Sequence, residues 1–546
     1  MLEDNKDQRN RYQRNTLQQL RNGLIQGTRD EQTQTIAWLG VPYAQPPIGE
    51  LRWKSPRSLE KWSGILHTTE FNHKSLQKIG DNILGSEDCL YLNIWRPDSK
   101  EENLPILVWA HGGGNLLGSG EDFQGDILAA QTNSVIISIN YRLGIMGWFK
   151  LKALNTDNKL DSSGNYGLLD IFQALKWVKE NIQCLGGDPN NVTLGGHSAG
   201  ARNVLAALIS PLAKGLFHKA LIVSGGRTLA EAKQGEEYAE EIVMNVLIKD
   251  GKAYDKISAK KWLEKEANHT IVSYLKEKSP EQFLSFLGPV EIRMKDFPHL
   301  FLDGHVIPRE GFDLVKKGDY NQVPLILGSD ATEYAIYNIL DSFWGSVVID
   351  LSILDNPKKL KLYLAALEYG SKLFACLNAD STADLITEIQ NQPPVYVYRL
   401  GWGTERGTIS DPLRKLVGAS HQVDLDFFTG YENYVVNTLF PGKCYSEGNK
   451  PGRKALTDLV MQYTKSFLNY GDPNHDGLSK WYSWQKQEDK PRIMKLNADA
   501  EKASAIMSEE RLIKEEILDE MNTKLTTEEL EIVLGQLFQS RFFMEY

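Results

Sequence analysis

Cysteine is scarce: Cys89, Cys184, Cys376 and Cys444 are all that 546 residues contain. They are widely spaced and form neither a disulfide framework nor a metal-ligand pattern. So few thiols suit a reducing compartment. No run of 18 apolar residues exists, which excludes a membrane-spanning helix. Positive charge is also short, with 61 Lys and Arg against 71 Asp and Glu, a net −10. No basic stripe is present of the kind that nucleic acid or anionic lipid attracts. The start of the chain, Met1 to Asn22, is polar and lacks the apolar core of a secretory signal. A cytoplasmic protein is therefore expected, with secretion after signal removal as the alternative. Internal repeats and low-complexity tracts are absent as well, which excludes a solenoid.

What remains has a globular composition, 41% hydrophobic and 24% charged. Residues 1–21 read as a polar tail or short helix. Gly23 to Gly27 and Thr35 to Gly40 read as two strands of a hairpin. From about 85 to 225, β-type runs alternate with helical periodicity. Pro105 to Ala110 and Val135 to Asn140 are nearly all apolar, as strands buried on both faces should be. Leu168 to Ile182 repeats its apolar positions at helical spacing. This alternation predicts an α/β protein with a mostly parallel sheet covered on both faces. Helical insertions are expected at about 227–310 and 335–390 within one unit spanning 22–510. The stretch 511–546 reads as one or two amphipathic helices, with Leu512, Ile517 and Met521 among their apolar positions.

The chain is organised around Asn191 to Gly200. A short β run leads into Gly196-His197-Ser198-Ala199-Gly200, and a helix of small residues follows. Strand, serine flanked by two glycines, helix: this is the setting of a nucleophile elbow. A serine hydroxyl needs a general base, and the base needs an orienting carboxylate. In elbow-type sites these follow in the order Ser, acid, His. Downstream of Ser198 lie His218, His269, His299, His305, His421 and His475. The run Leu325 to Gly328 leaves a buried strand for a polar loop holding two acids, Asp330 and Glu333. Only His421 and His475 come later. His475 sits in a surface-turn composition, so His421 is the candidate base. His111-Gly112-Gly113-Gly114 precedes the elbow by about 85 residues. Its backbone amides at Gly113 and Gly114, with that of Ala199, are candidate donors to an oxyanion.

Longer stretches make the pattern specific. They are Gly40 to Trp53, Ser86 to Ile94, Asn140 to Gly144, Gly164 to Asp170 and Gly186 to Thr193. With these motifs the chain resembles the type-B carboxylesterase family of α/β-hydrolases, which includes bacterial para-nitrobenzyl esterases and cholinesterases. The resemblance implies an α/β-hydrolase fold, no cofactor and no metal. It implies a small-molecule ester as substrate, and a monomer or weak homodimer. It assigns Ser198 as nucleophile, Glu333 rather than Asp330 as acid, His421 as base, and Gly113, Gly114 and Ala199 as oxyanion donors. Four departures stand out. His197 replaces the family's common Glu before the nucleophile. Tyr334 replaces the Gly usual after the acid. Asn115 stands where an apolar residue is commoner, which predicts a more polar acyl pocket. Residues 70–88 hold no Trp, which argues against choline esters. The reading that follows is a serine carboxylesterase. The alternatives are a specialised hydrolase of a larger ester, lactone, carbamate or amide, and a non-catalytic binding protein on the same scaffold.

Overall fold

The strands sort their side chains by period two, and that alternation builds two cores. In the computed structural model, which describes residues 12–286, 297–432, 435–486 and 490–537, eleven strands form one sheet. In chain order they are β1 (Thr28–Asp30), β2 (Thr35–Pro42), β3 (Tyr91–Pro97), β4 (Leu104–Ala110), β5 (Val135–Ile139), β6 (Gly187–His197), β7 (Lys219–Val223), β8 (Leu325–Asp330), β9 (Val395–Leu400), β10 (Ile493–Ala498) and β11 (Ala503–Ser508). Their order across the sheet is 11-10-9-8-7-6-4-5-3-2-1. The run from β10 to β5 is parallel throughout. Antiparallel pairings add β11 at one side and β3, β2 and β1 at the other.

On β4, Ile106, Val108 and Ala110 enter one core while Leu107 and Trp109 enter the other. Helices close both faces. Helix α1 (Asp126–Thr132) covers the second face; α2 (Tyr166–Asn181) and α3 (Ala199–Ile209) cover the first. Such burial on both sides is why the central strands read as continuous apolar runs.

The helical insertions stand at the carboxyl ends of the central strands. Helix α4 (Ala232–Lys249) shares a third, smaller core with Trp53 and Phe149. Helix α5 (Pro357–Ala375) follows β8 and begins on Asn356, whose side chain accepts the Lys359 N–H. Helix α6 (Lys450–Tyr470) packs on the second face. Helices α7 (Lys514–Lys524) and α8 (Thr527–Leu537) bury Ile517, Met521 and Val533 in that same core. Among the described residues no helix is long and apolar enough to cross a membrane.

Two local expectations fail. The stretch around Leu24–Gln26 does not pair with Thr35–Pro42. It pairs antiparallel with Leu17–Gln19 and parallel with Ile65–His67, while β2 pairs with β1 and β3. The polar start is not merely a tail or a helix either. Leu17–Gln19 is a strand, and the Tyr12 ring is buried under the Arg96 guanidinium. Leu17–Gln19 and Leu24–Gln26 form a hairpin with each other, and its docking onto Ile65–His67 and Arg96 joins segments far apart in the chain, where local patterning carries no information. The remaining polar stretch, residues 1–11, lies outside the described residues.

Candidate active site

The site is assembled at the ends of β6, β7, β8 and β9. β6 stops at His197, and Ser198 takes φ 55° and ψ −118° before α3 begins. A non-glycine residue in such a region costs about 1–3 kcal/mol and persists only where its surroundings enforce it. They do here. The Ser198 N–H donates to Val223 O at 2.8 Å, and the Arg202 N–H donates to Ser198 O. The flanking glycines are required by contact. A Cβ on Gly196 would lie 2.6 Å from the Gly200 carbonyl carbon, and one on Gly200 would lie 2.5 Å from His111 O.

Glu333 follows β8 and is fully buried. Its Oε2 meets His421 Nδ1 at 2.6 Å. A carboxylate only accepts, so Nδ1 carries the ring proton and Nε2 is left as the basic nitrogen. Oε1 accepts from Ser224 Oγ at 2.5 Å and from the Asp330 N–H at 2.9 Å. The loop bearing His421 is tied to the acid loop: the His421 N–H donates to Glu333 O, and the Thr332 N–H to Ala419 O. The His421 ring lies among Tyr337, Phe374 and His197, with the His197 centroid 4.5 Å away. His197 is the residue before Ser198, so this contact places the candidate acid and base beside the elbow. Among the described residues no hydrogen bond joins Ser198 Oγ to His421 Nε2. Such contacts commonly tighten only when substrate is bound.

The triple-glycine loop lies alongside. A Cβ on Gly112 would come within 3.2 Å of Ser198 Cβ. Gly113 and Gly114 have φ 99° and 68°, conformations that suit glycine. Among the described residues the amides of Gly113, Gly114 and Ala199 find no acceptor.

Asp330, the rival acid, is buried one turn of loop away. Burial and the charges of Asp424 and Glu333 push its carboxyl well above the usual range. Burial thus favours its neutral form, while Glu333 is the carboxyl that meets His421. His475 lies elsewhere, on a turn, with Nδ1 against Asp476 O. The four cysteines are buried and unpaired.

The departures acquire physical explanations. The Tyr334 ring is fully buried, and its N–H donates to Ser371 Oγ. Asn115 corrects the expectation of a more polar acyl pocket. Its amide exchanges hydrogen bonds with Asn203 on α3 at 2.9 and 3.1 Å and accepts from the Tyr141 hydroxyl. It pins the glycine loop to the elbow helix. Sequence reasoning missed Asn203, Tyr141 and Ser224. The one signal for Ser224 was its place directly after β7, next to the elbow strand.

Comparison with known proteins places the chain in a family. The carboxylesterase family model matches residues 14–347. The chain belongs to the carboxylesterase family. It is 32% identical over 432 residues to the para-nitrobenzyl esterase of Bacillus subtilis (strain 168), covering 75% of this chain and 81% of that one. It is 29% identical to the precursor of a medium-chain fatty acyl-CoA hydrolase from Anas platyrhynchos, covering 83% of each. Among solved structures, a PNB esterase superimposes with TM-score 0.70 at 25% identity, over 92% of this chain and 99% of the other. The Geobacillus stearothermophilus carboxylesterase does so with TM-score 0.69 at 25% identity, over 90% and 98%. The fold is that of the α/β-hydrolases, and this carboxylesterase is a carboxylic ester hydrolase.

Proposed function

We propose that Ser198 is the nucleophile of a two-step ester hydrolysis, with His421 as base and Glu333 as its orienting acid. Ser198 Oγ attacks the ester carbonyl carbon as His421 Nε2 takes its proton. The negative oxygen of the tetrahedral intermediate is met by the N–H groups of Gly113, Gly114 and Ala199. His421 then returns the proton to the departing alcohol, leaving an acyl group on Ser198. Water, deprotonated by the same imidazole, releases the acid. Glu333 fixes the tautomer and offsets the imidazolium charge. The observation that carries this reading is the 2.6 Å contact of His421 Nδ1 with Glu333, beside the strained serine.

The substrate we propose is a small ester, and the name of the Bacillus relative makes p-nitrobenzyl esters a natural first probe. We propose a monomer or weak homodimer acting in the cytoplasm, a compartment that the buried, unpaired thiols suit. The test is Ser198→Ala on p-nitrophenyl acetate, together with a fluorophosphonate probe. Activity should fall by about 10⁴-fold or more, and the probe should label Ser198 in the parent protein alone. Undiminished turnover by the variant would sink the assignment.

A further inference from the structure

His197 stands between two parts of this machinery. It ends β6, so the sheet fixes its backbone, and the residue is 4% exposed. The ring lies against His421, centroids 4.5 Å apart and planes 37° apart. Its Nδ1 edge abuts the loop of amide donors, since a Cβ on Gly112 would sit 2.8 Å from that atom. Its Nε2 is buried without a hydrogen-bond partner among the described residues. Burial and the neighbouring His421 hold this imidazole well below its ordinary pKa, so it stays neutral. The other groups facing His421 are Glu333 at Nδ1, the Tyr337 and Phe374 rings, and Asp424, whose carboxyl feels the His421 charge.

We propose that His197 is a positioning residue whose neutral ring wedges His421 against Glu333 and keeps water from the inner side of the base. The inference rests on His421 being the base. A dry neighbour disfavours an added positive charge, whereas water admitted there eases protonation. Loss of the ring should therefore move the acid limb of the pH profile upward and loosen the base.

The experiment compares kcat/KM against pH for the parent, His197→Ala and His197→Phe. The Ala variant should show an acid limb raised by about half to one pH unit. Its kcat should fall roughly tenfold, with KM changed less than about twofold. The Phe variant restores the wall without a titrating group, and should recover the parent limb and most of kcat. If His197→Ala does not fold, His197→Gln takes its place against His197→Phe. An acid limb that stays put in the small variant, or moves equally in the Phe variant, overturns the proposal. His421→Ala separates the two readings: if that variant keeps the parent profile, it is the base assignment that fails.

Discussion

Gly370 of α5 lies directly beneath the Tyr334 ring: a Cβ on the glycine would come 2.6 Å from Tyr334 Cδ1. Tyr334 directly follows Glu333, so this contact seats the loop that carries the proposed acid. Gly370→Ala therefore sets two effects against each other. Alanine favours a helix interior by about 1 kcal/mol. Overpacking a rigid buried ring costs about 1–3 kcal/mol, and here the penalty should win. The variant is expected to melt earlier and to lose kcat by roughly tenfold as Glu333 shifts. Parent-like kcat and melting temperature together would remove the link between the two residues.

Asn115 and Asn203 form the second mechanical link, between the glycine loop and the elbow helix. Asn115→Ala leaves the Asn203 amide buried and unmatched, at a cost of about 1–3 kcal/mol. Loosened amides should lower kcat by about 10- to 100-fold. Replacing both residues with Leu removes the unmatched groups, so stability should return in part, short of the roughly 1–2 kcal/mol that a Leu costs at the φ of 59° held by Asn115, while kcat does not return. If kcat recovers along with stability, the pair does no more than fill space.

A buried carboxyl supplies a pH dependence. Asp424 accepts from the Tyr398 hydroxyl and is pushed up to about 7, first by burial and then by the Glu333 charge. Unfolded, it would titrate near the ordinary 3.8. Between these values the folded state holds the extra proton, so the group's contribution is full below pH 4 and is lost as pH rises through 7. The span corresponds to at most about 4 kcal/mol. Asp424→Asn keeps an acceptor for Tyr398 and cannot ionise. It should melt at a higher temperature than the parent at pH 8, with the advantage shrinking toward pH 4. Equal melting temperatures at pH 8 would contradict this assignment.

How much of the site could be read from the chain depended on the range of each interaction. Ser198 was legible because an elbow is spelled by five adjacent residues, even though the Gly200 contact that requires a glycine comes from Ala110 and His111. Chain order narrowed the base to His421 and His475 without any knowledge of distance, and the turn composition around His475 chose between them. Choosing Glu333 over Asp330 needed the family pattern, because two acids in one loop look alike until burial separates them. Ser224 escaped because its partner is 109 residues away. The Asn115 side chain was misjudged for the same reason, since its partner lies 88 residues on. The central sheet was readable because strands buried on both faces are continuously apolar. The pairing of the short strand at Leu24–Gln26 was not, because one partner, Leu17–Gln19, lies in a stretch too polar to read as a strand and the other, Ile65–His67, is remote.

The extension after residue 510 has a consequence for the timing of assembly. Leu512 bonds through its N–H to Asp380 and through its C=O to Cys376, while Lys361 and Lys372 reach Glu529 and Glu520. Those anchors lie on and just after the helix whose Phe374 backs the His421 ring. Elbow, glycine loop and acid all leave the ribosome well before this clasp does. A nascent chain halted at 510 would carry all the proposed reacting groups without the contacts that brace the helix behind the imidazole, so full activity is expected to need residues 511–537 in place.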